Sequence, residues 1–289
     1  MIETSFETVR ESIYSNARNW YEESIHPEGK KCYIFFSSNG LYSESTAEGL
    51  QRTLVERNRY EWTSMANAFK YHKELGKIIY VRDIYEAFYI YGISKQLDSI
   101  DKVIDKLKEL TAGYQVTTVG ISSGGYMAVI CAAALHAERA FCFSGQFDIE
   151  SHLKESDLSY CSSVEDKRKY INILNVVKQC PAIPIYYFCP IGCGHDYVNY
   201  QMVKDEKNVR SFLFPDKVHA ATVYPFNFPD LLFLSNGKMD KLNASYKNKI
   251  INKNIFYLQT VSLRGVITFI CYIFKTKFRI DMLKKKWDV

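Results

Sequence analysis

Gly120-Ile121-Ser122-Ser123-Gly124 is a G-x-S-x-G pentapeptide set between a β-branched run, Gln115 to Ile121, and a small-residue, largely apolar stretch, Gly124 to His136. In a strand–turn–helix elbow the central residue is held in a strained backbone conformation that lifts its hydroxyl clear of the sheet. The positions two residues to either side must be small, and Gly120 and Gly124 meet that need, with Gly125 giving further room. A glycine-rich nucleotide-binding turn would instead carry G-x-G-x-x-G, or a Lys after the glycines; neither is present here. A serine hydroxyl is a weak nucleophile, so the chemistry needs a base to take its proton and a third group to orient that base.

Six histidines compete for the role of base. His26 and His72 precede the elbow, His136 ends the helix behind it, and His152 opens a polar stretch. His195 and His219 follow late strand-like runs, where loops gather at the carboxyl edge of a parallel sheet. His219 comes one short turn (Pro215-Asp216-Lys217-Val218) after the last such run and is the first choice; His195 is the second. The orienting acid should come off the preceding strand. Asp196 fits, in the loop of pattern G-x-x-x-D-x-V that begins at Gly192, and Asp148 is the alternative. The developing oxyanion needs two N–H donors. One is the backbone amide of Ser123; the other should come from the turn Ser38-Asn39-Gly40, from Ser38 or Asn39.

The run Phe35-Phe36-Ser37-Ser38-Asn39-Gly40, the elbow, Asp196, and Asp216-Lys217-Val218-His219 together resemble the α/β-hydrolase superfamily over roughly residues 30–235. The resemblance extends to the chain order nucleophile, acid, base. It implies a serine-dependent esterase or acyltransferase that needs no metal or resident cofactor, with acetyl-CoA as an acyl donor if it is a transferase. More loosely, the chain is similar to small hydrolase-fold proteins of bacterial surface-polysaccharide pathways, some of which are O-acetyltransferases or esterases on sugars. It lacks the H-G-G-G oxyanion loop of common lipases and esterases, which argues against a lipid-ester role.

The elements that must hold these residues alternate along the chain. Strands are expected at 33–37, Lys77 to Ile84, Gln115 to Ile121, Arg139 to Ser144, Pro184 to Cys189 and Val209 to Phe214. Leu97, Ile100, Val103, Ile104, Leu107 and Leu110 recur at helical spacing with Lys and Asp between them, as in an amphipathic helix. Ser45 to Lys73 is mostly helix-compatible, and Glu150 to Gln179 reads as a polar, helical insert or lid. Such alternation predicts an α/β fold, a mostly parallel central sheet with helices on both faces. The catalytic domain is placed at 1–237, followed by a basic, partly apolar helical extension at 238–289.

Composition bounds the rest. The chain has 289 residues, 47% of them hydrophobic, which excludes a disordered protein. Net charge is +5, but residues 241–289 carry eleven Lys or Arg against Asp281 and Asp288, leaving the body mildly acidic. That balance argues against a nucleic-acid-binding core. Lys284, Lys285 and Lys286 beside Trp287, downstream of the apolar run Val266 to Phe274, suit peripheral contact with a membrane or a protein partner. No run reaches the roughly 18 apolar residues of a membrane span, and the first residues do not read as a secretory signal. Eight cysteines without framework spacing read as reduced thiols, so a cytoplasmic protein is expected. Cys189, Cys193 and His195 lack a second pair of ligands at zinc spacing, so no metal site is expected. The cluster Tyr85, Phe88, Tyr89 and Tyr91 suits either core packing or stacking on sugar rings, and the Asn243-Ala244-Ser245 sequon has no meaning in a protein that is not exported. The second functional reading is a hydrolase-fold scaffold that has lost catalysis and acts through its basic tail.

Overall fold

A computed structural model of the chain describes residues 5–42, 46–163, 168–220, 222–224, 227–263 and 265–267. Seven strands form one sheet: β1 Trp20–Ser24, β2 Lys31–Phe36, β3 Leu75–Val81, β4 Gln115–Ile121, β5 Arg139–Phe143, β6 Ile185–Pro190 and β7 Val209–Phe214. Their order is β1-β3-β2-β4-β5-β6-β7. All pairs are parallel except the edge pair β1–β3, where Trp20 lies opposite Val81.

The inner strands β2 to β6 carry no polar alternation because both faces of the sheet are covered there. Successive residues go to opposite sides. Ile34, Phe36, Ile79 and Val81 join one apolar cluster; Tyr33, Phe35, Ile78 and Tyr80 join the other. Among the described residues, three groups of helices close most of the first face, with Val203 of the helix Gly194–Val203 added to them. The three groups are α2 (Ile100–Leu110), α3 (Ser123–Ala134), and the pair α4 (Glu155–Ser163) and α5 (Leu174–Gln179) from the expected insert. In α2, Ser99 caps the start by accepting from the Lys102 amide, and Ile100, Val103, Ile104 and Leu107 form the buried stripe. The insert is tied into this core by Cys161, Tyr170, Ile173 and Val177.

The opposite face is covered by residues around Tyr60 and Phe69 and by the C-terminal part: α7 (Phe228–Leu232), α8 (Asn236–Tyr246) and α9 (Lys253–Thr260). Met239, Ile251 and Phe256 are buried there, so the start of the expected extension lies packed on the sheet as far as Thr260. Buried Arg139 of β5 helps hold it, reaching the Leu232 carbonyl at 3.0 Å and the Asn236 side chain at 3.0 Å. Residues 268–289, including Lys284 to Trp287 and most of the apolar run before them, lie outside the described residues. Among the described residues no helix is long and apolar enough to cross a membrane.

The helix-compatible stretch 45–73 differs from expectation. Over its described part it breaks into Ala47–Leu50, a wide turn Gln51–Glu56, a 3₁₀ turn Thr63–Met65 and Ala66–Phe69. Positive φ at Asn58 (42°) and Trp62 (73°) turns the chain back between them, which a continuous helix does not tolerate. Two elements carry no strong signal in the sequence: α1 (Phe6–Asn16) and the half-exposed edge strand β1.

Candidate active site

Ser122 sits between β4 and α3 at φ 55°, ψ −125°, a backbone state that costs a non-glycine residue energy and persists only where its surroundings enforce it. Three contacts enforce it. The Ser122 amide donates to the Phe143 carbonyl of β5 at 2.9 Å. A Cβ at Gly120 would collide with the Gly124 carbonyl, and one at Gly124 would press on the Phe36 and Ser37 carbonyls at the end of β2. The elbow is therefore wedged between two strands, with the exit of β2 directly against it.

His219 arrives in the loop after β7. Its Nε2 lies 2.9 Å from Ser122 Oγ, and its Nδ1 lies 2.8 Å from Asp196 Oδ2. The Asp196 side chain is 1% exposed and that of His219 29%. Asp196 is not in a loop, as the Gly192-Cys193-Gly194 run had suggested. It occupies the first turn of α6 (Gly194–Val203), where the helix dipole favours a carboxylate. The two loops are keyed together, since a side chain at Gly192 would strike the Pro215 and Asp216 carbonyls. Lys253 of α9 pairs with Asp216 at 2.8 Å and so braces the His219 loop. Asp148, the alternative acid, is engaged elsewhere, accepting from the Asn172 side chain at 2.8 Å and the Glu150 amide at 3.0 Å.

His195, the alternative base, is not bonded to Ser122, yet it lies within the same cluster. Its Nε2 is 3.2 Å from His219 Nδ1 and 3.8 Å from Asp196 Oδ2, and Cys193 Sγ is 3.6 Å from its ring nitrogens. His152 packs against His195 with ring centroids 5.8 Å apart. Burial, then the neighbouring His195 and His219, lowers the His152 pKa and so favours its neutral form.

Ser123 is buried at the first position of α3, where a helix amide has no partner inside the helix. The expected second donor has an unexpected partner: the Ser38 amide donates to Glu61 Oε2 at 2.8 Å and the Ser38 hydroxyl to Oε1 at 3.0 Å. Burial pushes the Glu61 carboxyl up, and the two Ser38 donors pull it back. Asn39 is exposed in the turn. No sequence signal marks Glu61, because its link to Ser38 exists only once the chain has folded back at Asn58 and Trp62.

A second missed feature supports the β2 exit. Asp83 is fully buried after β3 and accepts from the amides of Tyr85 (3.0 Å), Ala87 (2.9 Å) and Tyr89 (2.8 Å). It organises a loop in which Glu86, Phe88 and Tyr89 all have positive φ. The Tyr89 hydroxyl then donates to the Ser37 carbonyl at 2.8 Å. Of the aromatic cluster, Phe88 and Tyr89 are buried, and Phe88 with the more exposed Tyr85 and Tyr91 lines a cleft that also has Arg10, His152 and Lys154.

Burial raises Asp83 to about 6, and burial with the nearby Asp83 and Glu61 charges raises Glu86 to about 8. Both carboxyls hold a proton more tightly folded than unfolded. Their contribution to stability is therefore full below the ordinary carboxylate range and is lost as pH rises through the folded values. The melting temperature should fall as pH climbs toward about 8, and Glu86→Gln should flatten the upper part of that decline. A melting series across pH on both proteins checks it, and identical slopes would contradict the assignment.

Neither a protein-family model nor a curated protein sequence matches the chain. Among solved structures it is similar to the capsule O-acetyltransferase of Neisseria meningitidis serogroup A, at 15% identity and TM-score 0.48 over 69% of this chain and 84% of that one. It is also similar to Mycobacterium tuberculosis MPT51 (12% identity, TM-score 0.43, the same two coverages) and to MenH from Staphylococcus aureus (9%, 0.40, 79% and 96%). The fold is of the α/β-hydrolase type, shown by its own strand order and its serine elbow after β4.

Proposed function

We propose that the protein is a serine-dependent acyl-transfer enzyme, an esterase or O-acetyltransferase acting on a carbohydrate or surface-polysaccharide ester. One observation carries this reading: the unbroken line Ser122 Oγ, His219 Nε2, His219 Nδ1, Asp196 Oδ2, with links of 2.9 and 2.8 Å. Ser122 attacks the ester carbonyl as His219 takes its proton. The bond to the alcohol breaks as His219 returns that proton to the leaving oxygen, which gives an acyl-enzyme. Water, or a sugar hydroxyl in a transferase, then attacks the acyl-enzyme with His219 again as base, and Ser122 is released. Asp196 holds the imidazole with Nδ1–H toward itself, and the Ser123 amide faces the developing oxyanion. A carbohydrate suits the cleft beside His152, where Arg10, Lys154, Ser156 and Asp157 offer hydrogen-bonding partners to sugar hydroxyls, while the Tyr85 ring already carries Arg10 and the Tyr91 ring stacks on Tyr160. A transferase would take its acyl group from an activated donor such as acetyl-CoA.

A fluorophosphonate probe tests the reading. It should label Ser122 once per chain and fail on Ser122→Ala; absence of labelling anywhere between about pH 6 and 9 would remove the enzyme reading. A cytoplasmic location, with the basic tail touching the inner membrane face or a partner, belongs to the same proposal. Binding to anionic vesicles should be lost, and probe labelling kept, when residues 268–289 are deleted.

The scaffold alternative draws support from Glu61, whose carboxylate occupies the Ser38 amide that an oxyanion would need. In an enzyme, the substrate oxyanion displaces that carboxylate. Glu61→Gln keeps an acceptor for Ser38 but removes the repelling charge, so turnover of a small ester should rise several-fold. A fall in kcat with unchanged folding would show instead that Glu61 serves the site as it stands.

A further inference from the structure

Cys193 Sγ, a ring nitrogen of His195, an oxygen of Asp196 and a ring nitrogen of His219 all lie within 4.8 Å of one another. The separations resemble the edges of a coordination tetrahedron. With metal–nitrogen and metal–oxygen bonds of about 2.0–2.1 Å and a metal–sulfur bond of about 2.3 Å, those edges are roughly 3.3 Å between nitrogen or oxygen ligands and about 3.5 Å to sulfur. The structure has 3.2 Å from His195 Nε2 to His219 Nδ1, 3.6 Å from His195 to Cys193 Sγ, 3.8 Å from His195 Nε2 to Asp196 Oδ2, and 2.8 Å from His219 Nδ1 to Asp196 Oδ2.

A second observation points to a cation here. Asp196 is buried; beside Oδ2, whose distances to the two imidazoles are those above, its Oδ1 has no hydrogen-bond partner among the described residues, although a buried carboxylate oxygen ordinarily finds one. The His195 side chain is 47% exposed and gives an ion a way in. His195 and Cys193 are also held from behind. The Asn199 side chain donates to the His195 carbonyl at 3.0 Å, and the Cys193 amide to the Pro190 carbonyl at 2.9 Å. One thiolate, two imidazoles and one carboxylate form a donor set suited to zinc.

We propose that Cys193, His195, Asp196 and His219 form a tetrahedral site for a divalent metal ion of the zinc class, and that filling this site switches off chemistry at Ser122. The regulatory half rests on the reading of His219 as the base. A metal on Nδ1 takes the lone pair there, so the ring proton sits on Nε2. The nitrogen facing Ser122 then carries N–H and cannot accept the serine proton. Cys193 gives its proton to solvent, and two negative ligands balance the ion. Metal and acyl transfer thus compete for one imidazole.

Titration of the full chain with Co²⁺ under reducing conditions tests the site without reference to activity. One ion per chain should bind, with tetrahedral visible bands and near-ultraviolet thiolate-to-cobalt absorption. Cys193→Ser should abolish that near-ultraviolet absorption, and His195→Ala should weaken binding at least about tenfold. Zn²⁺ should slow fluorophosphonate labelling of Ser122 at least about tenfold, reversibly on chelation, and should leave labelling of the Cys193→Ser/His195→Ala variant unchanged. No saturable cobalt spectrum, a spectrum untouched by Cys193→Ser, or undiminished zinc inhibition of the double variant would overturn the proposal. A correct cobalt spectrum in a protein that never labels at Ser122 would keep the metal site and sink the acyl-transfer reading alone.

Discussion

Asp196→Asn is expected to lower turnover of a small ester by about 10⁴-fold while leaving the fold and substrate affinity nearly intact. The side chain is 1% exposed and 2.8 Å from His219 Nδ1, so an amide of the same shape fits the space. An amide that donates N–H toward Nδ1 requires a lone pair there, which moves the ring proton to Nε2. Ser122 then faces a donor where it needs an acceptor. Because the loss falls on proton transfer and not on binding, it should appear in kcat with KM little changed. Steady-state kinetics with circular dichroism on the same sample separate this from misfolding. Near-wild-type kcat would show that His219 does not depend on this carboxylate.

Asp83→Ala is expected to destabilise the protein by at least about 3 kcal/mol, since the buried amide bonds from Ala87 and Tyr89 and the part-buried one from Tyr85 lose their acceptor at about 1–3 kcal/mol each. Against a typical total of about 5–15 kcal/mol this is a severe loss. Tyr85, Ala87 and Tyr89 donate to Asp83, and that loop reaches the β2 exit through Tyr89 and Ser37. The damage should therefore reach the oxyanion turn as well as the overall fold. Asp83→Asn, which keeps one acceptor oxygen, should recover part of the stability. Chemical denaturation of both variants checks the ranking, and equal stability of the two would contradict the role given to Asp83.

The parts legible in the sequence share one physical trait, a strong local pattern. β4 and β7 match their expected bounds because each is a short run between turns, β4 buried in the middle of the sheet and β7 at its edge with Val209, Phe212 and Phe214 buried. The Ser122 elbow is legible because its strain requires small residues at fixed spacing, and those glycines are visible without coordinates. His219 and Asp196 follow from chain order around the elbow. What stayed hidden depends on contacts distant in sequence or on weak patterning. The helix α6 begins inside a glycine-rich run and has no clear apolar stripe, so Asp196 reads as a loop residue. β1 is half-exposed and carries Glu22 and Glu23, which hides a strand. The Glu61 contact with Ser38 and the approach of His195 to His219 join residues 23 and 24 positions apart, and nothing local announces either.

The most direct test of the account is to catch the acyl-enzyme. The protein would be mixed with an activated acetate ester, quenched in acid during turnover, digested and mapped by mass spectrometry. One acetyl group is expected on the peptide containing Ser122, absent from Ser122→Ala and much reduced in His219→Ala. Acetyl found instead on Cys193 or on a lysine, or hydrolysis at an unchanged rate by Ser122→Ala, would contradict the claim that this serine is the nucleophile.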